Sequence, residues 1–200
     1  MKILIIGGQG TIGSRLVNHF SQEHEVLSLG RTYGHKTVDI SNSESLEKLF
    51  KQIGKVDAVI SVAGEAKWAP FSELSEEDYY IGIKSKLMGQ VNLVRIAQHY
   101  LEPNGSITLS TGILADDPVL QTASAAMVNG AIHSFVRAAA LEIRNNNRVN
   151  VVSLGVVEDA YEKYKDFFPG HNPVPMSKVV NAYVRSVLGS GHGEIIRMYD

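Results

Sequence analysis

Two hundred residues, 44% hydrophobic and 20% charged, are enough for one well-buried domain, expected to span residues 1–200. Nineteen basic and 21 acidic side chains leave a formal charge of −2 with neither sign gathered into a tail, which argues against nucleic acid or a membrane surface as partner. No cysteine is present, so disulfides and thiolate chemistry are excluded, in keeping with a reducing cytoplasm.

Met1-Lys2 leads directly into a strand-like run, so no secretory signal is expected, and no apolar run approaches the roughly 18–20 residues of a membrane span. The expected location is the cytoplasm. Ile3-Leu4-Ile5-Ile6 completes a strand over Lys2–Ile6 and runs into Gly7-Gly8-Gln9-Gly10-Thr11-Ile12-Gly13, followed by a helical pattern from Ser14 to Phe20. A continuous apolar run marks a parallel strand covered on both faces. Glycines just beyond it let the backbone turn tightly and approach a pyrophosphate. The following helix offers free N–H groups and the positive end of its dipole. This junction predicts dinucleotide binding.

Further strands are expected at residues 25–29, 57–62, 106–110, Arg148–Leu154 and 194–198, alternating with helical stretches. Leu46, Leu49, Phe50 and Ile53 make one apolar stripe; Ile83, Leu87, Val91, Val94 and Leu101 make a longer one. Pro103-Asn104-Gly105 is expected to end that second helix and turn the chain into the next strand. An alanine-rich helix over about 122–145 exits through Asn145-Asn146-Asn147. The alternation predicts an α/β, doubly wound fold: a central parallel sheet of about seven strands, right-handed crossovers and helices on both faces. Ligands of such sheets sit beyond the carboxyl ends of the strands, here residues 7–13, 30–32, 62–65, 110–114 and 154–159.

Five segments in order carry a resemblance: Gly7, Gly10 and Gly13; Ser61-Val62-Ala63-Gly64; Gly105-Ser106-Ile107-Thr108-Leu109-Ser110-Thr111; Phe135-Val136-Arg137-Ala138-Ala139-Ala140-Leu141-Glu142; and Arg148-Val149-Asn150-Val151-Val152-Ser153-Leu154-Gly155. Together they resemble the short-chain dehydrogenase/reductase family over essentially the whole chain. The resemblance implies a Rossmann fold and NAD(P)-dependent oxidoreductase chemistry on a small carbonyl or alcohol. It assigns the phosphate loop to Gly7, Gly10, Thr11, Ile12 and Gly13, and further cofactor contacts to Ala63, Gly64, Gly155 and Val157. Leu154 stands where the family usually has proline. The family's catalytic helix carries Tyr-x-x-x-Lys, but counting back from Leu141-Glu142 puts those positions on Ala125 and Asn129. Alanine transfers no proton; asparagine can still hydrogen-bond a ribose but brings no charge. The resemblance aligns Thr111, with Ser110 beside it, to the catalytic serine, and Lys86 to a helix position where many members have asparagine.

Two functions are compatible with that departure. Hydride transfer could survive with the proton supplied by Lys86, a tyrosine of the 161–164 segment or water, or the chain could be a non-catalytic NADP(H)-binding or redox-sensing module. NADP is expected over NAD, because Arg31 follows Gly30 where NAD-binding members place a carboxylate, and a planar cation suits a 2′-phosphate. Thr32 and Arg15 are expected to assist. Asp39-Ile40 resembles the family's adenine-binding pair; the alternative is that Asp39, with Ser41, only caps the next helix. Seven histidines lack metal-ligand spacing, so no metal is expected. His133 is expected to be a packed or interface residue, and the 161–175 segment, near Trp68, a substrate lid. The long helix beginning about Asp78 and the alanine-rich helix, with Ala131, Ala138 and Ala139, resemble the pair through which family members form homodimers or homotetramers.

Overall fold

The computed structural model describes residues 1–199. Strands β1 (Lys2–Ile6), β2 (Glu25–Gly30), β3 (Lys36–Thr37), β4 (Val56–Ser61), β5 (Leu101–Gly112), β6 (Arg148–Leu154) and β7 (Ile195–Met198) form one sheet in the order β3-β2-β1-β4-β5-β6-β7. Every pairing is parallel. The helices are α1 (Thr11–Phe20), α2 (Ser43–Ile53), α3 (Glu76–Gly82), α4 (Gly89–Ala97), α5 (Ala123–Ala140), α6 (Tyr161–Tyr164) and α7 (Met176–Leu188).

The two-residue period of a strand divides the core between the two faces. Ile3 and Ile5 of β1 pack with Leu16 and Phe20 of α1 and with Val179 and Tyr183 of α7. Leu4 and Ile6 pack on the opposite face with Leu46 and Phe50 of α2, Leu93 of α4 and Val136 of α5. The chain steps outward from β1 to β3 and then crosses to β4. The strand order therefore reverses between β1 and β4, and a crevice opens at their carboxyl ends.

The doubly wound seven-stranded sheet is the fold expected, but several boundaries differ. Leu101 belongs to β5, not to the preceding helix; it pairs with Val56, and α4 stops at Ala97. Pro103-Asn104-Gly105 is consequently an irregular insertion within β5, where the register shifts between Val56 and Ala58. The asparagine cluster holds it: Asn104 N–H donates to Asn145 O (3.2 Å) and Gly105 N–H to Asn147 Oδ1 (2.8 Å). The alanine-rich helix ends at Ala140 rather than at about 145: Leu141 and Glu142 N–H donate to the Ala138 and Ala139 carbonyls (3.1 and 3.0 Å) in a tightened last turn, and Asn145 and Asn146, at φ of 62° and 56°, lie outside the helical region. The long second helix is α3, a π-helical turn over Ile83–Met88, and α4. The short edge strand β3 was not expected from its polar sequence.

Candidate active site

The turn from β1 into α1 is built by close approach. Gly7 has φ 85°, its N–H donates to Leu29 O (2.8 Å), and its carbonyl accepts from Gly10 N–H (3.0 Å). A Cβ on Gly13 would lie 2.1 Å from Gly7 O and 2.7 Å from Gly8 Cα, so only glycine lets the first turn of α1 seat beneath the loop. Gly10 caps α1 with no side-chain hydrogen bond, leaving the first N–H groups without a side-chain acceptor. An uncapped ten-residue helix above a glycine cradle fits a pyrophosphate.

Beside it, Gly7, Gly30, Arg31, Asp39, Ile40, Ala63 and Gly64 line a cavity of about 270 Å³. Thr32 is exposed and lines neither this cavity nor the main cleft. The Arg31 guanidinium stands 3.9 Å from Glu65 with both side chains largely exposed, a weak pair that leaves the cation available to an anion. Gly30 is explained by Gln9, a residue not singled out from the sequence. Gln9 Nε2 donates to Ser28 Oγ (2.7 Å), and a Cβ on Gly30 would meet Gln9 Oε1 at 2.5 Å. A carboxylate at position 30 has no room while Gln9 lies there. Arg15 does not join Arg31; it pairs with Asp159 at 2.7 Å and ties α1 to the segment after β6. Asp39 is not the cap of α2: Asn42 accepts from Glu44 and Ser45 N–H, while the Asp39 carboxylate accepts from Ser41 N–H and Oγ.

The main cleft, about 680 Å³, lies beyond β4, β5 and β6. It brings together Ile12, Ala63, Gly64, Lys86, Ser110, Thr111, Asn129, Gly155 and Val157 of the expected residues, with Ala125, Trp68, Tyr164, Phe167 and Phe168. Gly10, Thr11 and Gly13 belong to the adjoining loop and helix start and line neither cavity. The two β5 hydroxyls that line the cleft, Ser110 and Thr111, are already engaged. Ser110 Oγ donates to Ser61 O (2.5 Å) and accepts from Tyr183 Oη (2.7 Å). Burial pushes the Tyr183 hydroxyl up, which makes it a poor acid. Thr111 Oγ1 bonds His133 Nε2 at 2.8 Å, and His133 is buried, its desolvation favouring the neutral ring. The next residue, Gly112, has no side chain, yet a Cβ there would stand 3.6 Å from Asn129 Nδ2 with no closer clash than 3.5 Å.

β4 and β5 part company beyond Ile60 and Thr108, which would orphan the Ser110 backbone. Fully buried Gln90 of α4 takes both groups: Ser110 N–H donates to its Oε1 (2.9 Å) and its Nε2 donates to Ser110 O (3.1 Å). Lys86 lies one helical turn before Gln90, on the π-helical segment, and faces the cleft. Gly64, with φ 112°, packs so closely that a Cβ there would come within 2.9 Å of Lys86 Cα. Lys86 has no hydrogen-bond or ion-pair partner among the described residues, and desolvation lowers its pKa from the ordinary 10.5 to about 8. Lys84 points away, exposed, 5.6 Å from the Tyr80 ring. Asn129 is buried with Oδ1 unpaired, an acceptor that suits a ribose hydroxyl.

The 161–175 segment and Trp68 form the far wall. Trp68 lies 5.7 Å from Tyr164, 5.7 Å from Phe167 and 6.4 Å from Phe168, ring centre to ring centre. Tyr161 is committed elsewhere, its hydroxyl donating to His171 O at 3.5 Å. No group of three His, Asp or Glu side chains among the described residues could hold a metal, and no described helix is long and apolar enough to cross a membrane.

A family profile described as enoyl-(acyl carrier protein) reductase matches residues 16–178. The hydroxynaphthalene reductase arp2 of Aspergillus fumigatus is 28% identical over 127 residues, 62% of this chain; the chain spans 46% of that reductase. The crystal structure of lin1944 from Listeria innocua superposes with a TM-score of 0.97 at 45% identity over the full length of both chains. A small-chain dehydrogenase in complex with NADPH is 26% identical, with a TM-score of 0.88 over 100% of this chain and 96% of its own.

Proposed function

Because the chain belongs to the short-chain dehydrogenase/reductase family, we propose that it is an NADPH-dependent oxidoreductase acting on a small carbonyl compound or the matching alcohol, with Lys86 as the proton donor. The observation that carries this reading is Lys86 itself: a half-buried lysine facing the cleft, unpaired among the described residues, where the other charged residues of the lining, Glu65 and Lys67, are exposed and the Ser110 and Thr111 hydroxyls are already bonded. NADPH, when bound, would supply hydride at nicotinamide C4. The loop 7–13 would hold the pyrophosphate, Arg31 the 2′-phosphate, Asp39 and Ile40 the adenine, and Asn129 the ribose. The NADPH-bound relative and the absence of room for a carboxylate beside Gln9 support NADP over NAD.

Lys86 is charged below pH 8 and loses its proton readily above it. Its proton passes to the substrate oxygen as negative charge develops there, and the amine is reprotonated from solvent through the open cleft. A donor titrating close to working pH suits general acid catalysis. Trp68, Tyr164 and Phe167 offer apolar surface to the substrate.

One observation favours a second reading, an NADPH-binding or redox-sensing module without turnover: α5 contains neither tyrosine nor lysine. NADPH consumption against a panel of aldehydes and ketones separates the two. Turnover that is lost in Lys86→Ala supports the enzyme; tight NADPH binding with no turnover on any carbonyl supports the module.

The same reading takes residues 1–200 as one cytoplasmic domain that assembles as a homodimer or homotetramer through α4 and α5. Exposed Met88 and Met127 with the small residues Ala131, Ala138 and Ala139 support that surface. Light scattering that finds a monomer removes the assembly.

A further inference from the structure

Phe71 and Leu120 are 77% and 85% exposed, which is costly for large apolar side chains unless something covers them. Both line a second cavity of about 870 Å³. Phe167 lines this cavity and the main cleft alike, and successive residues of the first turn of α5 divide between them, Ala125 on the cleft and Ala126 on the second cavity. The partition is therefore one phenylalanine and a turn of small residues, Ala123 to Ala126. The outer wall is ordered: Gln121 holds φ 67° with its carbonyl accepting from Ala69 N–H (3.1 Å), and Thr122 Oγ1 donates to Val119 O (2.6 Å). Asp166 and His171 are the titratable side chains of the lining, and His171 stands 3.5 Å from Asp117.

We infer that the substrate is an elongated, largely aliphatic carbonyl compound, its carbonyl beside Lys86 and its chain passing Phe167 into the second cavity. This rests on the reading of the cleft as a carbonyl site. An apolar chain leaving the cleft along Phe167 meets a preformed apolar surface, and it covers Phe71 and Leu120. Burial of each additional methylene strengthens binding about fourfold.

Trp68, the sole tryptophan, touches Phe167 at the partition, so its fluorescence reports occupancy without turnover. The test titrates the full chain with straight-chain 2-alkanones from butanone to dodecanone, with and without NADPH, whose own fluorescence monitors cofactor binding. Affinity should rise about fourfold per methylene beyond the length that fills the cleft. Leu120→Asp, on the exposed rim, and Ala126→Phe, which fills the second cavity, should each hold the long ketones to the affinity of the short ones, with NADPH binding intact. Affinity that levels off with length in the wild type, or a rise that survives both substitutions, overturns the inference. So does a Leu120→Asp variant that turns a dimer into a monomer while keeping the gain with length. A gain with length but no NADPH oxidation upholds the apolar subsite and rejects the redox reading; NADPH oxidation without that gain does the reverse.

Discussion

Replacing Lys86 by methionine removes the charge and keeps the Cβ and Cγ atoms that pack against Gly64. Desolvation takes the lysine from 10.5 to about 8. At about 1.36 kcal/mol per pH unit, that gap corresponds to a cost of roughly 3 kcal/mol for holding the cation in the fold. The side chain is only half-buried, and solvent screening reduces the cost to about 1–2 kcal/mol. Lys86→Met should therefore be more stable than the wild type at neutral pH by about that amount. The sign follows from which state loses the proton first. Below pH 8 the lysine is charged in both folded and unfolded chains, and the full cost stands. Between about 8 and 10.5 the folded chain is deprotonated while the unfolded chain is not, so wild-type stability climbs and the gap closes. Paired urea unfolding curves from pH 7 to pH 10.5 measure it. The same substitution should lower carbonyl reduction by about 10²–10⁴-fold with NADPH affinity unchanged, and wild-type reduction should fall as pH rises through about 8. A variant less stable than wild type by a margin independent of pH refutes the desolvated cation. Unchanged turnover refutes the donor.

Gln90→Leu leaves the Ser110 N–H and C=O buried without partners, and should cost about 2–4 kcal/mol in urea unfolding; a loss below about 0.5 kcal/mol means that water replaces the clamp. Gly13→Ala forces a Cβ against Gly7 O, so NADPH affinity measured by nucleotide fluorescence should collapse and stability fall by about 1–3 kcal/mol. Wild-type behaviour would show that the loop relaxes freely. Arg31→Ala should weaken NADPH about tenfold or more and leave NADH nearly unchanged, as expected for a charge-assisted phosphate contact; equal losses for the two nucleotides reject the 2′-phosphate assignment.

Most of the fold was legible because its signals are local. Ile3 to Ile6 form a continuous apolar run, and Leu46, Leu49 and Phe50 keep the helical period on α2. The structure departs from the local signals where distant partners decide. Leu101 continues the apolar period of the preceding helix, yet pairing with Val56 recruits it into β5. Lys36 and Thr37 carry no apolar signal and become a strand only because β2 offers an edge. Gln9 and Gln90 were invisible for the same reason: their meaning lies in Gly30 and in the backbone of Ser110, each distant in sequence.

The side chains of the cleft expose a stricter limit. Sequence spacing shows that Lys84 and Lys86 cannot both face the site, since successive helical residues turn by about 100°, but it does not choose between them. The choice is made by the π-helical turn over Ile83–Met88, which changes the phase of α4 relative to α3. Two constraints fix that turn from opposite sides. Gln90 ties the helix to the end of β5, and Gly64 admits the Lys86 backbone closer than any other residue would allow. Position 112 offers no side chain, position 125 only a methyl group and position 129 only a neutral amide. Of the ionisable residues that line the cleft, which include Glu65, Lys67 and Tyr164, Lys86 is the one those two contacts hold in place. If Gln90→Leu reduces turnover far more than its loss of stability explains, and Lys86→Met adds nothing further, the clamp acts through the lysine; independent, multiplicative losses would mean that it does not.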